Sequence, residues 1–465
     1  MPTQFSKFID TSCKEFLHPW EDSCINATTG LGLHTLQESV KIYCTVYILA
    51  FLMKGKKPSK EDIKKTILGI LQSTAFLAWN SLSYSMFICT IRHLLGGFTI
   101  WSVSFLPSFL SSLTAILIER PPRRTLLSLY VANVATESIF LMGLARNYYS
   151  SIPNGGTYIF ATSIALLLYF FRSKTNKQDS IYGILRILVG RYEDPDYIKQ
   201  SDSQSKLQTS SDSESSTKVN HISKKCNKKN LNIFMKSLEA YQKIIDQLKQ
   251  RSKHSPCPHP HSCTHYVLKG GIKVLGYALS AQLVVKLFFQ MKNLFKKPQL
   301  LKSAIFKKSN LNLAVFLGSF TGLYRLVSCL LRRSFNKDSS YYAIPAGLIA
   351  GLTFMAYSSN TIALYFMWKA LQLLWNDLTE KKIVPEVKWF AIFFYSFSTA
   401  VLFHAAVLEP HNLRTSYWKF LYNISGGRIA VMSRIPLDQF GLESSRRLAE
   451  VLRKTNTTDK HTFKF

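Results

Sequence analysis

Residues Phe98–Ala145 read FTIWSVSFLPSFLSSLTAILIERPPRRTLLSLYVANVATESIFLMGLA, and this stretch decides the fold class. Phe98–Ile118 is a predominantly apolar run of 21 residues. Glu119–Thr125 then holds three arginines and two prolines in a short turn, and Leu126–Ala145 is predominantly apolar again for 20 residues. A helix needs about 20 such residues to cross the hydrocarbon core of a bilayer. Two blocks of that length around a basic turn read as a helical hairpin through a membrane.

Similar blocks recur on either side. Ile67–Ile91 and Thr157–Phe171 complete four in the first half, and Leu311–Leu331, Tyr341–Tyr357, Thr361–Trp375 and Trp389–Leu408 supply four in the second. Two weaker segments read as interfacial amphipathic helices rather than spans. Ile42–Met53 has only 12 residues, and Gly271–Gln290 carries Lys273 and Lys286 on one flank. Composition agrees with this division. The 465 residues are 47% hydrophobic and 18% charged, yet 58 Lys and Arg against 27 Asp and Glu give a formal charge of +31. Such a basic chain has a mean hydropathy of +0.04 only because basic loops alternate with apolar blocks. The segregation excludes a wholly disordered chain and argues against a soluble enzyme. The aromatic residues lie mostly inside the blocks rather than among the basic residues, so nucleic-acid binding is not expected. Eight cysteines are too sparse for a disulfide scaffold.

Eight crossings place 42 Lys and Arg in the loops and tail of one side and 8 on the other. The bias orients both termini and the central loop toward the cytosol. Met1–Gly32 is polar without an apolar core, so no secretory signal is expected there. The sequons at Asn26, Asn423 and Asn456 then fall on the cytosolic side and should be unused.

The two halves echo one another at a spacing of 235 to 241 residues. Lys56-Lys57-Pro58 recurs as Lys296-Lys297-Pro298, Arg92-His93 as Arg332-Arg333, Leu129-Tyr130 as Leu364-Tyr365, and Gly190-Arg191 as Gly427-Arg428. Cys13 and Cys24 enclose His18-Pro19, as Cys257 and Cys263 enclose His259-Pro260. The expected fold is an all-α polytopic membrane protein of two parallel four-span repeats, each preceded by an interfacial amphipathic helix. The expected divisions are a cytosolic Cys/His head at 1–34, a first membrane repeat at 35–192 and a disordered Ser/Lys-rich linker at 193–253. A Cys/His head with the second repeat at 254–408 and a basic cytosolic tail at 409–465 complete the chain. Within the linker, Ser201–Ser216 reads as a phosphorylatable segment and Lys224–Lys229 as a basic run suited to anionic lipid head groups.

Three stretches carry a resemblance: Ile116–Met142 (ILIERPPRRTLLSLYVANVATESIFLM), Ser416–Met432 (SYWKFLYNISGGRIAVM), and the head Cys13, His18-Pro19-Trp20, Cys24. They resemble the transmembrane protein 135 family of peroxisomal membrane proteins, over the whole chain except the linker near 195–250. The resemblance implies a multi-pass protein of the peroxisomal membrane, also associated with mitochondria. It further implies effects on fatty-acid and cholesterol handling and on peroxisomal and mitochondrial dynamics, with no catalytic residues to carry over. The second Cys/His head departs from the family pattern. Paired glycines in four-span units also resemble, in architecture alone, the pore family of mitochondrial inner-membrane translocases, which implies a channel or translocase-like pore as the alternative function.

Candidate sites follow from residue types that lipid disfavours or that let helices approach. Gly318-x-x-x-Gly322 and Gly347-x-x-x-Gly351, with Ser108-x-x-x-Ser112 in the first half, allow close backbone contact. The four glycines are expected to form one helix–helix contact. Glu137 lies mid-span with Asn133 one turn away, and its counterpart in the echo is Gln372, near Lys369. Arg325 and His404 lie in other apolar blocks. Intramembrane polar residues read as functional by default. These either line a polar strip for a head group or ion, or pair internally, Glu137 with Arg325 or Lys369. Cys257, His259, His261 and Cys263 are candidate metal ligands, although a flexible head with reduced thiols fits the same residues. No phosphate loop, nucleophile triad or carboxylate pair is present, so neither an enzyme nor a cofactor is expected. The expected partners are membrane lipids, among them fatty acids or sterols, with membrane-protein partners or a homo-oligomer also open.

Overall fold

The computed structural model describes residues 7–53, 59–173, 179–195, 197, 242–243, 245–250, 254–294 and 308–459. The linker readings at 201–216 and 224–229 lie outside them. Among the described residues the regular structure is helical, apart from one antiparallel bridge between Ile9 and Phe98. The long helices of the first half are α1 (Cys24–Met53), α2 (Lys60–Leu95), α3 (Phe105–Ile118), α4 (Pro121–Ala145), α5 (Gly155–Ser173) and α6 (Ile181–Val189). Then follow α7 (Cys263–Leu294), α8 (Lys308–Phe335), α9 (Ala343–Gly351), α10 (Asn360–Glu380) and α11 (Phe390–Leu408). Helices α12 (Thr415–Ile424) and α13 (Ser444–Thr455) end the chain.

Local chemistry sets several boundaries. Helix α4 opens with Pro121 at a first-turn position, where the missing N–H is no loss. Helix α2 closes at Gly96, whose φ of 78° is the left-handed conformation of a helix C-terminus. Among the described residues, four helical stretches are long and apolar enough to cross a bilayer: Pro121–Ala145, Gly155–Ser173, Leu311–Phe335 and Phe390–Leu408. Phe105–Ile118 is a shorter apolar helix. The chain is therefore a multi-pass, all-α membrane protein.

Several expected segments look different in three dimensions. The block Tyr341–Tyr357 is not a full span. It forms the nine-residue α9 and then a 3-10 turn at Leu352–Tyr357. Nine residues rise only about 13 Å. Ile42–Met53 and Gly271–Gln290 are not separate short helices. They belong to the 30-residue α1 and the 32-residue α7, which pack along α2 and α8. The basic tail is folded, with Trp418 of α12 fully buried.

The described chain divides into two compact units, and the division differs from the sequence segmentation. One unit holds residues 1–151 with 386–465, and the other holds 152–385. In the first, α1 packs on α2, α2 on α3, and α11 on both α3 and α4. In the second, α7 packs on α8, α8 on α9, and α5 on both α9 and α10. Helix α5 thus leaves the helices that precede it in sequence, and α11 joins helices far upstream. Side-chain fit accounts for both placements. Phe160 of α5 stacks on Phe354 at 4.2 Å and meets Phe316 edge-on at 5.6 Å. In the first unit, Phe76 and Tyr395 lie 5.9 Å apart, and Ser112 Oγ donates to Ser396 O of α11 at 3.4 Å.

The glycine pairs form two contacts rather than one. A Cβ on Gly347 or Gly351 would lie 2.7 or 2.5 Å from the backbone Cα of Ala165 or Ala161 on α5. A Cβ on Gly318 would meet α7 instead, at Leu275 Cβ (2.8 Å) and Gly271 O (3.2 Å). Small residues face small residues at each crossing, which is how helices gain van der Waals contact in lipid. Ser108 and Ser112 are fully buried on α3, the helix on which α11 packs.

Candidate functional site

Each unit gathers cysteines and a histidine in one place. In the second, the ligand atoms of Cys257, His259, Cys263 and Cys329 all lie within 4.8 Å of one another. Cys257 and Cys263 have their sulfurs 3.8 Å apart, and His259 Nε2 lies 3.5 Å from Cys329 Sγ. His259 Nδ1 bonds to the carbonyl of His261 at 2.6 Å, which fixes the tautomer and aims Nε2 at the thiols. His261 therefore does not join the set expected from sequence. It supplies a backbone acceptor, and Cys329 of α8 takes the fourth place. The first three members of this set come from a proline-stiffened loop and the first residue of α7.

In the first unit the sulfurs of Cys13, Cys24 and Cys89 also lie within 4.8 Å of one another. His18 is not within that distance of all three sulfurs: its Nε2 lies 3.3 Å from Cys24 Sγ, and its Nδ1 bonds to the Glu21 carbonyl at 2.8 Å. A capping box between Ser12 and Glu15 fixes the turn that presents Cys13. One thiol of each head is acidified, Cys257 and Cys13, while burial pushes Cys263 and Cys24 up. Hydrogen bonding from Cys329 leads in lowering Cys257 to about 4, helped by His259 and Cys263 against burial. Bonding from Cys89 leads in lowering Cys13 to about 7.

The intramembrane polar residues pair inside their own units. In the first unit, Glu137 pairs with Arg414, not with Arg325 or Lys369. Arg414 Nε donates to Glu137 Oε2 at 2.6 Å, and Nη2 donates to Asn133 Oδ1 at 3.1 Å. His404 bonds to Ser104 Oγ at 3.0 Å and stacks on Trp101. In the second unit, Lys369 donates to Asp179 at 2.7 Å and to Gln372 Oε1 at 2.9 Å. Arg325 donates to the carbonyls of Val189 (2.9 Å) and Tyr266 (3.2 Å), with its guanidinium 4.4 Å from the Tyr266 ring centroid. It thereby terminates α6, and Gly190 and Gly270 leave room for it.

The Glu137–Arg414 pair yields a stability prediction. Glu137→Gln keeps hydrogen bonding but loses the charge assistance, so about 2 kcal/mol should be lost. Thermal unfolding of the detergent-solubilised chain reads this as a midpoint lowered by a few degrees. Arg414→Met added to it should cost less than the sum of the two single changes. Strict additivity would show that the two side chains are not coupled.

The first unit also contains a partly open, apolar-walled cleft. Leu31, Tyr84, Val407, Leu421 and Ile429 are among its apolar walls, and His18 and Arg428 are the ionisable groups on them. Arg428 is 5% exposed and donates to the Ser425 carbonyl at 3.3 Å. Burial pulls its basicity down.

Residues 10–144 match the family described as the N-terminal cysteine-rich region of Transmembrane protein 135. The match covers under a third of the chain and contains Cys13, Cys24 and Cys89. The resemblance read from Ile116–Met142 and from the first head is borne out over that region. No solved structure matches the chain.

Proposed function

We propose that this chain is an integral protein of the peroxisomal membrane, also reaching mitochondria-associated membranes, that handles fatty acids or sterols without enzymatic turnover. Effects on peroxisomal and mitochondrial dynamics follow from that lipid role. The observation that carries the reading is the cleft of the first unit. Its walls suit an acyl chain, and Arg428 among them suits a carboxylate, because a guanidinium recognises that planar anion through paired N–H donors. A channel or translocase-like pore has less support. Glu137, Arg325 and Lys369 each have a partner within their own unit, which suits internal pairing.

The test uses the full-length chain in detergent with a photoactivatable oleic acid. Saturable labelling is expected at Leu31, Leu421 and Ile429, with competition by oleic acid at least tenfold better than by methyl oleate. Arg428→Gln should erase that preference while methyl oleate competes as before. Labelling that never saturates, or that falls evenly over lipid-facing helices, would remove the lipid reading. A tagged chain that fractionates away from peroxisomal membranes would remove the location.

A further inference from the structure

We propose that each unit holds a structural zinc ion, bound by Cys257, His259, Cys263 and Cys329 in one and by the grouped Cys13, Cys24 and Cys89 with His18, which lies against Cys24, as fourth ligand in the other. A tetrahedral site with Zn–S of about 2.3 Å and Zn–N of about 2.0 Å has sulfurs roughly 3.8 Å apart and sulfur and nitrogen roughly 3.5 Å apart. Cys257 and Cys263 are separated by 3.8 Å, and Cys329 and His259 Nε2 by 3.5 Å. A disulfide needs sulfurs about 2.0 Å apart, so the cluster is arranged around a centre rather than closed in pairs. Three thiols and an imidazole are the donor set that selects zinc in a tetrahedral site.

Both histidines bond through Nδ1 to a backbone carbonyl, His18 to Glu21 and His259 to His261, so both offer Nε2 to the sulfurs. That orientation is typical of a ligating histidine, and both heads keep it.

In each set one cysteine opens a long helix, Cys24 on α1 and Cys263 on α7. The most distant cysteine lies six residues before the end of the next long helix, Cys89 on α2 and Cys329 on α8. The corresponding ligands are separated by 244, 241, 239 and 240 residues, close to the spacing of the sequence echo. A bound ion therefore ties a proline-containing head to the ends of two packed helices. With four protein ligands neither site keeps an open position, so the role is structural rather than catalytic. Binding displaces the proton of each thiol to solvent and changes no oxidation state.

The full-length chain purified in detergent without chelator should contain two zinc ions per chain by elemental mass spectrometry. Cys24→Ser and Cys329→Ser should each leave one, and the double variant none. His261→Ala should leave both, since only its carbonyl is used. Should a variant fail to accumulate, the unaltered chain decides the matter. After zinc removal, cobalt should bind in two equivalents with thiolate charge-transfer bands and intense tetrahedral d–d bands. Substoichiometric zinc together with no thiolate–cobalt bands would overturn the proposal. So would an intact mass under non-reducing conditions showing disulfides among these cysteines. A single equivalent, abolished by one cysteine variant and indifferent to the other, would overturn it for the indifferent unit.

Discussion

Glu193→Gln is expected to destabilise the second unit by about 3–5 kcal/mol, the range for breaking a buried ion pair by removing one partner. Arg332 donates to both Glu193 oxygens, at 2.9 and 2.7 Å, and its Nε donates to Asp338 at 2.9 Å. Arg172 joins the same group, donating to Asp338 at 2.5 Å with its Nε 3.7 Å from Glu193. The Arg332 side chain is 0% exposed and Glu193 1%, so neither charge has water to turn to. Two guanidiniums and two carboxylates balance, and the substitution leaves two cations facing one anion. Adding Arg332→Met should recover part of the loss, because it restores the balance. Burial alone would raise the Glu193 carboxyl, but Arg332 and Arg172 overcome it and hold it at about 2. A carboxyl depressed in the folded state stabilises above its unfolded pKa and loses that contribution as pH falls through the folded value. Stability should therefore decline between about pH 4 and pH 2, and Glu193→Gln should flatten that limb. Thermal midpoints of the detergent-solubilised chain across that range measure both effects. A parental midpoint in Glu193→Gln would show that the cluster contributes nothing.

Helical spans were legible because lipid imposes a length and a composition that a short window of sequence displays. Pro121–Ala145 and Phe390–Leu408 announce themselves that way. The grouping of helices was not legible, because it depends on surface fit: nothing local in Gly155–Ser173 says that Ala161 and Ala165 receive Gly351 and Gly347. The head histidines and cysteines were visible as clusters, but their fourth partners were not. Cys329 lies 66 residues beyond Cys263 and Cys89 lies 65 beyond Cys24, each inside an apolar helix where a lone cysteine reads as packing. The one available signal was spacing, since the two distant cysteines repeat at the same interval as the heads. Arg414 escaped for another reason. Its counterpart at the Glu137-to-Gln372 spacing is Asp179, which meets Lys369, so the two pairs have opposite polarity and no identity to match.

Gly351→Ala is expected to cost about 1–3 kcal/mol, the range for overpacking a close contact, and Gly351→Leu more. The added Cβ would stand 2.5 Å from Ala161 Cα and 2.8 Å from Ala161 Cβ, so the obstacle is backbone rather than a flexible side-chain end. Gly347→Ala meets Ala165 Cα at 2.7 Å and should behave alike. Relief would require α5 and α9 to separate, and contact between them is what holds a short helix such as α9 in lipid. Composition alone would treat Gly322 the same way, since it ends the other glycine pair. Yet a Cβ there would have nothing within 4 Å. Gly322→Ala should therefore be neutral or stabilising by up to about 1 kcal/mol, the helix-propensity gain of alanine over glycine. Fluorescence-detected size-exclusion of heated, detergent-solubilised variants ranks the three. If Gly322→Ala proves as damaging as Gly351→Ala, the loss follows from the glycine motif and not from the Ala161 and Ala165 contact.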